Sequence, residues 1–140
     1  MDTPVITADV SRSWQMEYRM VRGSVSVVRI HVRRHLTMWG WGGDQYEATL
    51  IASELVTNSI NHGRIAGHVM LVQLALLDDG ELLIDVSDPL PAFPNFDRAQ
   101  LVSSEAEQGR GLDLIRELGG HLTWFLRDGV GKTTRVLLTP

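Results

Sequence analysis

The sequence predicts a two-layer α/β sandwich of the α+β kind: one mixed, mostly antiparallel sheet with helices on one face. Periodicity carries the prediction. Apolar residues recur at helical spacing over residues 25–39 and 45–61, and two dense apolar runs at 68–77 and 82–86 flank the tight turn Asp78-Asp79-Gly80. A second hairpin pattern, over 121–126 and 134–138, closes the chain. The resulting order is strand, helix, helix, strand, strand, loop, helix, strand, strand, with no internal repeat.

Residues 1–13 mix Pro4 with small polar residues and read as a loose tail, leaving residues 14–140 as a single domain. Over residues 14–21, Trp14, Met16, Tyr18 and Met20 alternate with polar residues as in a half-buried strand. Gly23-Ser24 breaks the pattern, with Ser24 the expected cap of a helix whose apolar positions are Val25, Val28, Val32, Leu36 and Trp39. Arg29, Arg33 and Arg34 lie elsewhere around that helix and read as a solvated face rather than a basic patch for a partner. GWGG at 40–43 ends it, and Asp44 caps the next helix. Pro89, Pro91 and Pro94 then forbid regular structure, so residues 89–108 are expected to form a lid loop with a short helical piece near 98–102. Gly109-Arg110-Gly111 is expected to open a helix over 112–118.

Composition removes several functions. A net charge of −4 gives no reason to expect nucleic acid or an anionic membrane as partner. The chain has no cysteine, which removes disulfide frameworks, thiol catalysis and cysteine-ligated zinc. No stretch reaches the roughly 18 consecutive apolar residues of a membrane helix, and no signal-peptide core opens the chain, so the reading is cytoplasmic. Every basic residue except Lys132 is arginine.

The helix over 45–61 holds the chemistry. Glu54, Asn58 and Asn61 fall on one narrow stripe with His62 at its edge, while Leu50, Ile51, Ala52, Leu55, Val56 and Ile60 point in most other directions. A carboxylate on a buried helix needs a partner, a metal or a task, because desolvating it costs several kcal/mol. Asn58 can bond backbone within the core, or offer its amide oxygen to a Mg²⁺ that takes its other ligands from phosphates and water. Asp88, at a strand end, can be a turn former or can accept an exocyclic amine. Gly109 and Gly111 can be a simple turn, or can expose backbone N–H groups to phosphate at a helix start.

Four stretches in order resemble a known family. ELVTNSINHG at 54–63 is similar to the N box of the gyrase, heat-shock chaperone, histidine kinase and mismatch-repair ATPase superfamily, whose shared domain is the Bergerat fold. VSDP at 86–89 sits where the first glycine box supplies its adenine-binding aspartate, QGRGLDLI at 108–115 resembles the second, and GKTTR at 131–135 the last. The resemblance implies ATP and Mg²⁺ as cofactors, Glu54 as catalytic base, Asn58 as metal ligand and Asp88 as adenine selector. Gly109, Arg110, Gly111 and Leu112 would supply phosphate-binding backbone, and Thr133, ahead of Thr134, would support the adenine site. Asn61 and His62 would lie near the phosphates, His62 otherwise being a helix-end residue. One departure stands out: Asp88 is followed by Pro89, Leu90, Pro91 and Ala92 instead of the two glycines of that box, which stiffens the loop beneath the nucleotide.

Within the superfamily, the N-terminal segment is too short for the phospho-accepting hairpin of a sensor histidine kinase, and a chain ending at Pro140 leaves no transducer domain of the gyrase kind. What remains resembles small actinobacterial serine/threonine kinases of the anti-sigma-factor type. That resemblance implies a sigma factor or an anti-sigma antagonist protein as partner, and a homodimer through the first strand and helix. The alternative is a protein-binding regulatory module, nucleotide-controlled or nucleotide-independent, without kinase activity.

Overall fold

The computed structural model describes residues 6–93 and 107–140, with the backbone alone for 107–110. Its elements are β1 (Val10–Arg19), α1 (Ser24–Trp39), α2 (Gln45–His62), β2 (Val69–Leu77), β3 (Leu82–Asp88), α3 (Glu107–Glu117), β4 (His121–Leu126) and β5 (Lys132–Leu138). The five strands form one sheet in the order β1-β2-β3-β5-β4. Every pairing is antiparallel, so the sheet has no parallel neighbours; β3 and β4 run the same way, but β5 lies between them.

Strand alternation builds the core. Leu74, Ile84 and Val136 lie side by side across β2, β3 and β5, and all three are fully buried against the helices. From α1 come Val28, Val32 and Leu36, and from α2 Ile51, Ala52, Leu55 and Val56. Burying a large aliphatic side chain stabilises the fold by roughly 1.5–3 kcal/mol, so these layers carry most of the hydrophobic gain. On the opposite sheet face Ala75, Leu77 and Leu83 make a smaller cluster with Ile6, Ala8 and Leu137. There Arg135 also grips Asp85 through two hydrogen bonds, Nε–Oδ1 at 2.9 Å and Nη2–Oδ2 at 2.8 Å.

Several boundaries move. β1 begins at Val10, so residues 10–13, expected in the loose tail, pair with β2, and the Asp9 carbonyl accepts the Asp78 N–H at 2.8 Å. An edge strand exposes polar residues on both sides, which hides it from an alternation test. Ser24 is not the cap of α1: Gly23 stands at that position with no side-chain bond, and the Ser24 hydroxyl donates to the Arg19 carbonyl at 2.7 Å. Asp44 does cap α2, accepting the Glu47 N–H at 3.0 Å. The short helical piece expected at 98–102, with most of the lid, lies outside the described residues.

Candidate functional site

The polar stripe of α2 faces two different neighbours. Toward the middle of the helix Glu54 is half-buried, and its Oε2 lies only 2.8 Å from where a Cβ on Gly111 of α3 would stand. The carboxylate end therefore lies against the Gly111 backbone, where a side chain would have to push it aside. One turn on, Asn58 is buried at 9% exposure. At the far end Gly63 packs against Asp88: a Cβ there would come within 2.3 Å of the carboxylate. Asp88 meets α2 between Ser59 and Gly63, about 7–14 Å along the helix from Glu54. Asn61 is exposed and His62 half-buried at the last turn, which sets both at the Asp88 end and not beside Glu54.

Asp88 is 1% exposed, and three donors reach its carboxylate. Its Oδ1 accepts from the Lys132 ammonium and the Leu90 N–H, each at 3.0 Å, and its Oδ2 from the Ser59 hydroxyl at 3.2 Å. Burial pushes the carboxyl above its ordinary range, by more than Lys132, Leu90 and Ser59 pull it down. Lys132, itself 2% exposed, also donates to the Leu90 carbonyl at 3.3 Å and sits 5.3 Å from the Phe93 ring centre. Neither Ser59 nor Lys132 was expected in the site. Ser59 had a signal, since it lies one turn before Gly63 on the same face; Lys132 had its uniqueness as a lysine and its place inside GKTTR.

Strand parity puts the two threonines on opposite faces of the sheet. Thr133 pairs with Ser87, and their hydroxyls bond at 2.8 Å on the sheet face away from the helices. Thr134 lies opposite Val86 on the helix side, with its Oγ1 buried and unpartnered among the described residues. The threonine that shares a face with Lys132 and Asp88 is therefore Thr134, not Thr133. Gly131, at φ +66°, completes this corner: a Cβ would meet the Asp88 carbonyl oxygen at 1.9 Å and Pro89 at 2.6 Å. Gly131→Ala is expected to cost about 2–4 kcal/mol in urea unfolding, from the left-handed conformation and the overlap together; a loss under about 0.5 kcal/mol contradicts that packing.

α3 begins earlier than its glycines suggest. Gly109 and Arg110 lie in its first turn, where backbone N–H groups have no partner within the helix. Gly111 and Leu112 lie beyond it, where the amides bond back into the ladder. Leu112, 1% exposed, instead anchors the helix in the core with Ile115. The backbone available to a phosphate is accordingly that of residues 107–110. For a Mg²⁺ shared with phosphates, one hard amide oxygen at Asn58 is a fitting donor. Among the described residues there is no cluster of His, Cys, Asp or Glu that would hold a metal on its own.

A sheet backed by helices, with a carboxylate and an amide one turn apart on the central helix and a buried aspartate at the end of β3, defines an ATPase-type α+β sandwich. The chain belongs to the histidine kinase-like ATPase domain family, whose profile matches residues 21–138; the family implies ATP binding. No curated protein matches the sequence. Among solved structures it is similar to the RsbU and RsbW domains of Rv1364c from Mycobacterium tuberculosis, at 18% identity and TM-score 0.66, covering 92% of this chain and 32% of that one. It is similar also to the SiaB–SiaC complex from Pseudomonas aeruginosa, at 14% identity and TM-score 0.63, covering 89% and 88%. The blue-light activated histidine kinase EL346 of Erythrobacter litoralis follows at 18% identity and TM-score 0.51, covering 83% and 39%. Such identities carry the fold alone. No helix among the described residues is long and apolar enough to cross a membrane.

Proposed function

We propose that this chain is an ATP-binding regulator of the anti-sigma-factor kinase type, transferring the γ-phosphate of ATP to a hydroxyl of a small antagonist protein. The observation that carries the reading is the Glu54 carboxylate held against Gly111 of α3, one turn before the buried Asn58. A base at that point takes the proton of the incoming hydroxyl as its oxygen bonds to the γ-phosphorus and the bond to the β-phosphate oxygen breaks, leaving ADP. Asn58 would hold Mg²⁺, which when bound neutralises charge on the phosphates. The N-terminal backbone of α3 would bind phosphate, and Asp88 with Thr134 would take the base. Likeness in fold to the RsbW domain and to the SiaB–SiaC complex supports a regulatory protein partner, a sigma factor or its antagonist. The exposed edge strand β1, with Val10 56% and Met16 45% exposed, supports the homodimer. The absence of cysteine agrees with a cytoplasmic protein.

A second reading, a protein-binding module without kinase activity, is favoured by the engagement of Asp88 with Lys132 and by the prolines that follow it. Incubation with γ-labelled ATP and an antagonist protein separates the two. Label on a serine or threonine of the antagonist is the expected result; complex formation without label leaves the module.

A further inference from the structure

Asp88 has little acceptor capacity to spare. Each carboxylate oxygen takes about two donors; Oδ1 already has Lys132 and Leu90, and Oδ2 has Ser59 on one side and Gly63 packed against it. An adenine amine bonds Oδ1 only in place of one of its two donors, and Gly63 crowds the remaining side of Oδ2. The Leu90 N–H is fixed by the backbone two residues on, and Ser59 by α2. Lys132 alone sits at the end of a long flexible chain.

We propose that Lys132 is an internal ligand of Asp88 that competes with the adenine amine and so sets nucleotide affinity and base selectivity in this chain. The proposal rests on the reading of Asp88 as the base contact. An ammonium and an exocyclic amine are both donors, so one replaces the other on the oxygen. Guanine, which carries an acceptor at the corresponding ring position, cannot make that exchange. Once displaced, the ammonium cannot stay buried without its anion and moves to solvent. The carbonyl of Leu90 and the Phe93 ring, which also attract Lys132, hold it in place against the ligand. Apparent affinity is then reduced by the fraction of molecules in which Lys132 remains on Asp88.

Because Lys132 is the sole lysine, its accessibility can be read without mutation. With an amine-acylating ester and peptide mass analysis, Lys132 of the full chain is expected to label slowly alone or with Mg-GTP, and at least about tenfold faster with saturating Mg-ATP. Calorimetry of Lys132→Gln, which keeps a donor but loses the charge, should show a Kd for ATP at least about tenfold lower with GTP unchanged. Calorimetric ATP binding to wild type that leaves Lys132 equally protected overturns the proposal and spares the ATP site. Unchanged or weaker ATP binding by a folded Lys132→Gln does the same. If neither protein binds ATP, the ATP-site reading itself fails and takes the proposal with it. Should Lys132→Gln not fold, the labelling of wild type decides.

Discussion

Replacing Glu54 by alanine should leave ATP binding intact while phosphate transfer to the protein substrate falls at least about a hundredfold, the range for losing a general base. Binding survives because the contacts assigned to the base and phosphates belong to Asp88, Thr134, Asn58 and the start of α3, not to Glu54. Packing survives because Glu54 is only half-buried, so water can take over the interactions of its carboxylate. Rates are measured as labelled phosphate on the antagonist at saturating ATP. Equal transfer by the variant removes Glu54 as the base, whereas loss of transfer together with loss of ATP binding assigns it to the nucleotide instead.

Asp88→Ala should be the most destabilising change at the site, at about 3–5 kcal/mol in urea unfolding, because it strands a buried ammonium without its anion. The 3.0 Å pair between Lys132 and Asp88 is buried at 2% and 1% side-chain exposure, so without Asp88 the ammonium regains solvation only by leaving its packed position. Adding Lys132→Met should recover a large part of that loss, since two apolar groups in place of a buried ion pair are tolerated far better than one unpaired charge. A double variant as unstable as the sum of its single changes contradicts a direct coupling between the two residues.

Local periodicity made much of this fold legible. The apolar faces of α1 and α2, the cap at Asp44 and the turn at Gly80 are short-range signals, and each stands where spacing placed it. The α2 stripe was legible for the same reason, as a polar run inside an apolar helix. Long-range facts were not. The Asp88–Lys132 pair joins residues 44 positions apart, and only the register of β3 on β5 brings them together. That register also puts Thr134, and not Thr133, on the face of Lys132 and Asp88, because a strand alternates faces and a one-residue step reverses the side. The start of α3 was misplaced because its glycines read locally as a turn. Docking of Leu112 and Ile115 in the core outweighs the low helix propensity of Gly109 and Gly111.

The central claim is that α2, the end of β3 and the start of α3 frame a site for ATP. Calorimetric titration of the full chain with Mg-ATP and Mg-GTP, beside Asp88→Asn, tests it most directly. The account predicts one ATP bound per chain, weaker binding of GTP, and a selective loss of ATP affinity in the variant. Identical ATP and GTP isotherms in wild type and Asp88→Asn, or no ATP binding at all, would contradict it.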